Sequence, residues 1–348
     1  FPPRNHKVAR WIFFVLAFHF PESIYPLFRL FFVPLQMLCV FLTIKRKHIG
    51  YIYNRYRMVT ASIVTYNHTL NDIEPALHSL LKSDVSHIYI IDHSDRNDSD
   101  FLASLKRYGA EQMTIDAEIR RRCIANSLTL SYHKHENNGY GGGHNVAIKL
   151  AKKAGSTYHI VVNPDVWFDN DVITKMKQYM DAHEDVGQMM PRVLFPDGTI
   201  QRLCKLLPTP LDMFGRLCLP PFIIHKRNNR FELRKFDYDK IINAPYLSGC
   251  FMFFRLSAME KTGLFDEHFF MYAEDIDMTR RMHQHFKTLF FPSVTIYHRF
   301  SRASHRSLKL FRIHITNIIM YFNKYGWFAD AERKTINKKA LEQCASCS

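Results

Sequence analysis

The chain has 348 residues, of which 47% are hydrophobic and 14% aromatic, and it carries a formal net charge of +15. These values are typical of a globular protein with a sizeable core, built as one large domain with appendages or as two domains. The charge predicts an anionic partner, which is nucleic acid, acidic lipid or a phosphorylated substrate. The seven cysteines are odd in number and scattered, which argues against a disulfide framework and for a reducing compartment.

Residues 1–57 differ in composition from the rest of the chain. They contain two apolar runs, and the longer run, 24–44, is interrupted by prolines and an arginine and is followed by a basic cluster. This pattern fits a segment held at a membrane with anionic headgroups better than a helix that spans the bilayer. The chain begins with Phe1, and Met58 directly precedes the first predicted strand, so an extension translated upstream of the real start is the alternative interpretation.

A regular alternation of strand and helix patterns begins at Met58. Short apolar, β-branched runs predict buried strands at 59–66 and 87–95. Helical spacing follows each of them, at 72–82 and 101–109. This alternation predicts a Rossmann-like α/β sheet, in which ligands bind beyond the carboxyl ends of the strands.

Polar residues stand where both of these strands end. Tyr66 and Asn67 follow the first strand, and Asp92 and Ser94 close the second. Such residues either contact a ligand or form the turn that leaves the sheet. The residues alone leave both interpretations open.

Four of the five residues from 139 to 143 are glycines, and a helical pattern over 145–155 follows them. This density predicts a loop rather than the interior of a regular element. A glycine loop that feeds a helix N-terminus lets backbone amides approach an anionic or nucleotide group. The spacing matches neither the Walker pattern nor the dinucleotide fingerprint, and a flexible loop without a ligand is the alternative.

A further strand pattern, Tyr158 to Val162, leads directly into Asn163, Pro164 and Asp165. An aspartate on a short turn at a strand end is well placed to hold a divalent cation that bridges a diphosphate. Because Asn163 is uncharged, only Asp165 brings a negative charge to this turn.

An acidic stretch, 265–281, surrounds a Phe-Phe-Met-Tyr sequence with carboxylates. Ile276 and Met282 fit the buried stripe of a helix, and the arginines near its end suit the last turns. Glu274 and Asp275 then lie near the helix start, where backbone amides favour negative charge. An acidic helix N-terminus and a catalytic carboxylate both account for this pattern.

Two regions carry weaker patterns. Residues 191–245 contain many prolines and basic residues without a clear period, which predicts an insertion with mobile loops. Residues 307–328 read as an amphipathic helix before a C-terminal tail. That helix either packs on the preceding domain or lies on an acidic membrane.

The order of these motifs resembles that of bacterial family 2 glycosyltransferases, and most closely the rhamnosyltransferase-like members that build cell-surface polysaccharides. The resemblance covers 58–306 and rests on the residues after the first two strands, on the segments NNGYGGGHN, NPDV, SGCFMFFR and FDEHFFMYAEDID, and on His298. It implies an α/β protein of the GT-A type, with a Rossmann-like nucleotide-binding sheet and an acceptor-binding half. The segments 1–57 and 307–348 would flank this domain, the latter as a helical extension.

The resemblance also implies roles for individual residues. Asp165 stands at the last position of the family's D-x-D motif and would bind the donor diphosphate through Mg²⁺ or Mn²⁺, with His298 as a second metal or diphosphate ligand. Asp275 stands at the catalytic base, which takes the acceptor proton as the hydroxyl attacks the anomeric carbon. Glu274 would orient that base or contact the acceptor. The residues implied to hold the nucleotide sugar are Tyr66, Asn67, Asp92, Asn138, Gly139 and Asn145.

We therefore expect an inverting, metal-assisted glycosyltransferase that moves a sugar, with rhamnose among the candidates, from a nucleotide-diphosphate donor to a surface polysaccharide of the O-antigen or capsule type. Its expected partners are the donor, a glycan or lipid-linked glycan acceptor, and an anionic membrane surface. The expected location is cytoplasmic, peripheral to or anchored in the inner membrane.

Two other function classes account for part of the sequence. A nucleotidyltransferase shares such a sheet and an acidic metal site, but it carries a basic, glycine-rich signature early in the chain, where Tyr66 and Asn67 stand here. A nucleic-acid-binding protein accounts for the positive charge, yet the basic residues are dispersed and follow no recognised binding motif. No nucleic-acid partner is expected.

Overall fold

The structure is a computed structural model that describes residues 57–95, 99–105, 111–112, 119–123, 128–299 and 307–346. The chain divides into two compact units, Phe1–Tyr56 and Arg57–Ser348, and all of the described residues belong to the second unit. The predictions made for the N-terminal segment therefore lie outside the described residues, apart from Arg57.

Strands and helices alternate along the first half of the described chain, as the sequence predicts. The strands are β1 (Val59–Thr65), β2 (His87–Asp92), β3 (Glu111–Gln112), β4 (Ile119–Cys123), β5 (Leu128–Lys134), β6 (Tyr158–Val162), β7 (Val166–Phe168), β8 (Val186–Leu194), β9 (Cys204–Lys205), β10 (Ile242–Asn243), β11 (Tyr246–Leu247), β12 (Phe251–Arg255) and β13 (Lys287–His298). The helices are α1 (Leu70–Leu81), α2 (Ser99–Leu105), α3 (Gly139–Lys153), α4 (Val172–Ala182), α5 (Pro210–Cys218), α6 (Pro221–Phe231), α7 (Leu256–Thr262), α8 (Glu274–His283), α9 (Leu308–Tyr325) and α10 (Ala331–Ser346).

One large mixed sheet forms the centre of the molecule. Within the part of the chain that the structure describes, its strand order is β10-β13-β8-β12-β6-β1-β2-β5-β4-β3, and β7 pairs with β13. Strands β6, β1, β2 and β5 are parallel to one another, which confirms the predicted Rossmann-like half. Buried β-branched and aliphatic side chains make β1 a central strand with core on both of its faces.

The register of the sheet brings the predicted strand-end residues to one edge. Thr65 on β1 lies opposite Asp92 on β2, so the residues that follow both strands leave the sheet side by side. On the other side of β1, β6 runs in the same direction and delivers the 163–165 turn to that edge. Val166, directly after this turn, pairs with His298 at the end of β13. Residues far apart in sequence are thus assembled at the carboxyl ends of parallel strands.

The glycine run from 139 to 143 is helical, so the prediction of a loop is wrong. Helix α3 begins at Gly139, with Asn138 as its N-cap residue, and contains all four glycines. The helix needs them because its first turns touch neighbouring backbone and rings: a Cβ on Gly139 would lie 2.3 Å from the Phe270 carbonyl oxygen, and one on Gly143 would lie 2.5 Å from the His93 ring. Close packing therefore outweighs the low helix propensity of glycine, about 1 kcal/mol per residue.

The region from 191 to 245 is more regular than its sequence predicts. It contributes β9, β10 and the two helices α5 and α6, and β9 pairs with β11 in a small separate sheet. Each of these helices begins at a proline and has only 9 or 11 residues, which is too short to stand out from a stretch rich in proline and basic residues. The C-terminus also differs from expectation, because α10 occupies most of the residues predicted as a tail.

Candidate active site

Asp275 lies at the start of α8 and is held by three hydrogen-bond donors. Its Oδ2 atom accepts from the Gly249 backbone N–H at 2.9 Å and lies 3.5 Å from the Tyr246 hydroxyl, while Oδ1 accepts from the Ile276 N–H at 2.8 Å. The side chain is largely buried. A carboxylate offers about four lone-pair positions, so these contacts fix its orientation and leave it able to accept a further proton.

Glu274 and Asp275 form a buried pair in which the two carboxyl groups differ. Burial raises the pKa of both groups, and the charge of Asp275 raises the pKa of Glu274 further. The Gly249 amide and the positive charge of Lys205 oppose the effect of burial on the pKa of Asp275 and favour its ionised form. The pair therefore keeps its proton on Glu274 and its negative charge on Asp275.

Substitution of Glu274 by Gln is expected to stabilise the protein at alkaline pH. The pKa of Glu274 is raised above its ordinary value of 4.5 in the folded protein, so its stabilising contribution is complete below pH 4.5 and is lost as the pH rises through the raised pKa. Gln mimics the protonated group, and we expect a gain of about 1–3 kcal/mol at pH 9 and little change at pH 5. Thermal unfolding at both pH values measures this gain.

The exposed carboxylate Glu260, which pairs with Lys152 on the surface, provides the control. Glu260→Gln should show no gain that grows with pH. An equal gain in both variants, or a Glu274→Gln variant that loses stability at alkaline pH, would show that Glu274 is not the protonated member of the pair.

A second group of side chains surrounds Asp165. The His298 Nε2 atom lies 3.3 Å from Asp165 Oδ1, and Nδ1 lies 3.0 Å from the Gln201 side-chain oxygen. Because the Gln201 amide nitrogen donates to the His298 carbonyl at 2.6 Å, its oxygen must face Nδ1, which then carries hydrogen. This contact orients the ring and aims Nε2 at the carboxylate.

The chemistry of this pair fits a divalent cation. At a metal–ligand distance of about 2.1 Å, two neighbouring ligands of an octahedral ion lie roughly 3.0 Å apart, close to the observed separation of 3.3 Å. Burial lowers the pKa of the His298 ring, but Cys250 and Asp165 outweigh it and raise that pKa to about 10. An imidazolium proton and a cation are alternative ways to neutralise Asp165. No cluster of three or more His, Cys, Asp or Glu side chains suited to a metal occurs among the described residues.

Tyr140 connects the two groups. Its hydroxyl lies 2.6 Å from the Gly249 carbonyl oxygen and 2.9 Å from the Asn163 side-chain oxygen. Burial raises the pKa of Tyr140 well above 10.0, so the hydroxyl remains a donor. Asn163 belongs to the turn that carries Asp165, and Gly249 binds Asp275. The predicted metal ligand and the predicted base are therefore joined through one phenol.

The backbone before Asp275 is strained and is clamped from two sides. Tyr272 adopts a φ of 83°, a region that side chains other than glycine rarely occupy. The Phe270 carbonyl accepts from the Tyr140 N–H at 2.9 Å, and the Met271 carbonyl accepts from Asn317 on α9 at 2.6 Å. Residues of α3 and α9 thus hold the segment that precedes and orients Asp275. Helix α9 packs on the domain at this point.

The residues predicted to hold the nucleotide include those that follow β1 and β2, at the same edge of the sheet as the 163–165 turn. Tyr66 is 45% exposed, and Asn67 has a φ of 55° and donates its N–H to Ser94 at 2.6 Å. Asp92 is fully buried, and its oxygens accept from Thr65, Ser94 and Tyr132. Asp92 therefore holds the ends of β1 and β2 together from a buried position, and Tyr66 is exposed beside them.

The helix start at 138–145 contributes in two different ways. Gly139 lies against the backbone of Phe270, and the side-chain oxygen of the partly buried Asn138 has no hydrogen-bond partner. Asn145 is buried, and its amide bonds to the backbone of Phe265 and to Glu267. Both N–H groups of that amide are used in these contacts, which tie α3 to the acidic stretch.

Sequence reasoning missed several residues of this site. Tyr140 stands as a lone aromatic residue in a glycine run, and that contrast was the available signal. Gln201 and Lys205 lie in the region without a clear period, where nothing in the sequence marks them. Gly249 lies in a motif that the resemblance includes, without a role assigned to it.

The family model for glycosyl transferase family 2 matches residues 60–263, which is more than half of the chain. The chain belongs to glycosyl transferase family 2. The match ends before Glu274 and His298, so the arrangement of these residues rests on the geometry described above. This glycosyltransferase has the mixed α/β architecture of the GT-A type.

The chain is also similar to a curated protein and to solved structures. The glycosyltransferase is 26% identical to the N-acetylglucosaminyl-diphospho-decaprenol L-rhamnosyltransferase of Mycobacterium tuberculosis. The alignment spans 214 residues and covers 58% of this chain and 69% of that protein. The structure of GalNAc-T7 with UDP, GalNAc and Mn²⁺ aligns with a TM-score of 0.51 at 14% identity, over 80% of this chain and 51% of that chain. S. aureus TarS 1–349 aligns with a TM-score of 0.47 at 16% identity, over 84% and 72% of the two chains. The predicted family, its rhamnosyltransferase-like character and the predicted fold class are confirmed.

Proposed function

We propose that this glycosyltransferase is an inverting enzyme that transfers rhamnose from a nucleoside-diphosphate donor to a lipid-linked glycan of a surface polysaccharide, such as an O-antigen or a capsule. The observation that carries the proposal is the contact path from Asn163 through Tyr140 and Gly249 to Asp275. This path supports the proposal because it joins an oriented carboxylate to the turn that carries Asp165, and a displacement at the anomeric carbon needs its base and its diphosphate site close together.

In the proposed reaction, Asp275 is the general base. The acceptor hydroxyl oxygen attacks the anomeric carbon on the face opposite the diphosphate, its proton passes to an Asp275 oxygen, and the bond from carbon to the diphosphate oxygen breaks. Attack from that face inverts the configuration. Glu274, which holds a proton, adds no second negative charge beside the base and orients the start of α8 through its bond with the Ala273 N–H.

Asp165 and His298 are the proposed ligands of Mg²⁺ or Mn²⁺. A bound cation would stabilise the negative charge that develops on the departing nucleoside diphosphate. Gln201 keeps the His298 ring turned toward that position. Tyr66, Asn67, Asn138 and Gly139 are the proposed contacts to the base, ribose and phosphates of the donor. We propose that Asp92 and Asn145 act indirectly, by holding these groups in place.

The acceptor side is proposed to be the small β9–β11 sheet. Its Lys205 side chain lies over the Tyr246 ring at 5.1 Å, and both residues act on Asp275. A cation beside the base suits an acceptor that carries phosphate, and the related M. tuberculosis protein is named for a diphosphate-linked lipid acceptor. We therefore propose a cytoplasmic enzyme at the surface of an anionic inner membrane. Among the described residues, no helix is both long and apolar enough to cross a bilayer.

The experiment that tests the proposal offers the purified chain a panel of nucleotide sugars, including dTDP-rhamnose, with an N-acetylglucosaminyl diphosphate acceptor in detergent. We expect rhamnose transfer from the dTDP donor, dependence on Mg²⁺ or Mn²⁺, and a product whose anomeric configuration is opposite to that of the donor by NMR. Transfer with retained configuration would overturn the inverting mechanism. Transfer of another sugar alone would overturn the donor assignment.

A further inference from the structure

Three large apolar side chains are exposed together where α5 leads into α6. Leu219 is 37% exposed, Phe222 is 81% exposed and Ile223 is 56% exposed. We refer to these three residues as the apolar tip. Contiguous exposed apolar groups of this size mark a surface that contacts a partner or a membrane.

The surroundings of the apolar tip are positively charged. From residue 213 to 231 the chain contains no Asp or Glu. The carboxylates on either side of this stretch, Asp212 and Glu232, pair with Arg227 at 2.6 Å and with Arg234 at 2.7 Å. Lys226 and Arg230 are exposed, and they follow Phe222 by one and two helical turns. At a rise of 1.5 Å per residue they stand about 6 Å and 12 Å behind it along α6. The apolar side chains at the start of α6 would meet the acyl chains of an anionic bilayer, and the cations further along the helix would meet its headgroups.

The other end of α6 is firmly attached beside the candidate active site. The Phe231 carbonyl accepts from the Leu206 N–H at 3.0 Å, directly after Lys205, and Phe214 of α5 stacks on Trp327 at 6.0 Å. The helix pair formed by α5 and α6 is therefore tied to the rest of the domain by a backbone hydrogen bond and by ring stacking. Its apolar tip lies about 14 Å along the helix axis from the end that adjoins Lys205.

We infer that the helix pair α5–α6 docks this glycosyltransferase on an anionic membrane. Phe222 and Ile223 enter the boundary between headgroups and acyl chains, while Lys226 and Arg230 bind lipid phosphates. The inference rests on the proposed function, because a lipid-linked acceptor is presented at such a surface. The length of α6 then sets the height above the bilayer at which the acceptor sugar meets Asp275.

The test measures flotation of the full chain with vesicles of phosphatidylethanolamine and phosphatidylglycerol, and with vesicles of phosphatidylcholine alone. The double variant Phe222→Ser/Ile223→Ser should bind the anionic vesicles at least tenfold more weakly than the wild type. The variant Lys226→Gln/Arg230→Gln should weaken binding to anionic vesicles about tenfold and should leave binding to phosphatidylcholine unchanged. Wild-type binding by the Phe222→Ser/Ile223→Ser protein would overturn the inference, because another segment, such as residues 1–56, would then hold the membrane.

The matched control removes two exposed apolar side chains from α9, Leu308 and Phe311, which are 68% and 38% exposed. Leu308→Ser/Phe311→Ser should bind vesicles as the wild type does, and a loss equal to that of the α6 variant would overturn the assignment to α6. A wild-type protein that is dimeric in light scattering, together with a monomeric Phe222→Ser/Ile223→Ser variant, would show instead that the apolar tip is an interface between copies of this chain.

Transfer assays separate this inference from the proposed function. With a short-chain, water-soluble acceptor diphosphate, the Phe222→Ser/Ile223→Ser variant should retain the wild-type rate, whereas with an acceptor embedded in vesicles its rate should fall at least tenfold. Failure of the wild type on both acceptors would refute the proposed acceptor and leave the flotation result intact. Equal loss by the variant on both acceptors would overturn the docking role.

Discussion

Asp275→Asn should nearly abolish sugar transfer and leave donor binding unchanged. The amide is similar in size and can still accept from the Gly249 N–H, but it cannot take a proton from the acceptor hydroxyl. General-base catalysis contributes roughly 10²–10⁴-fold, and we expect a loss of kcat in that range. Steady-state transfer rates give the loss of turnover, and calorimetric titration with the donor and Mn²⁺ gives its affinity.

Asp277→Asn is the matched control, because Asp277 lies on the same helix and faces away from the site. Its carboxylate binds Arg281, Lys324 and Tyr325, so its loss should lower the melting temperature while most of the transfer activity remains. A wild-type turnover number for Asp275→Asn would remove Asp275 from the role of base. Equal kinetic losses in both variants would attribute the effect to the helix and not to the proton acceptor.

Asp165→Ala should weaken donor binding in the presence of Mn²⁺ by roughly 10²-fold. The variant removes the only charged side chain of the 163–165 turn and leaves His298 without its carboxylate partner. A bound cation would contribute several kcal/mol of charge stabilisation to a diphosphate, so the loss of its ligand should affect binding as well as turnover. Titration with the donor, with and without EDTA, measures the metal-dependent part of the affinity.

Asp169→Ala provides the comparison, since Asp169 is an exposed carboxylate four residues further along the same segment. It should bind the donor with wild-type affinity and keep its sensitivity to EDTA. A wild-type enzyme that is insensitive to EDTA, or an Asp165→Ala variant that keeps its metal-dependent affinity, would contradict the assignment of Asp165 as a metal ligand.

The features that sequence reasoning predicted correctly depend on local periodicity. The apolar stripe of the 265–281 stretch placed Glu274 and Asp275 at a helix start, where the structure has them. The strand and helix alternation placed Tyr66 and Asp92 at one sheet edge, and the β1–β2 register confirms this.

The features that were missed depend on contacts between distant segments. The Tyr140 hydroxyl meets the Gly249 carbonyl across 109 residues of sequence, and no local pattern encodes that meeting. The helix through the glycine run also depends on distant contacts. Its glycines are required because Phe270 and His93 pack closely against Gly139 and Gly143. The charge of Lys205 lowers the pKa of Asp275 because the pairing of β9 with β11 brings Lys205 beside Tyr246, which contacts Asp275. Secondary-structure propensity is a property of a local segment, whereas the positions of these residues depend on contacts with segments that are distant in the sequence.

Anomalous diffraction from crystals grown with Mn²⁺ and a nucleoside diphosphate tests the shared site most directly. We expect one manganese peak within coordination distance of the Asp165 carboxylate and the His298 ring, with the terminal phosphate on the side that faces Asp275. A manganese ion bound elsewhere, or a diphosphate that points away from Asp275, would contradict it.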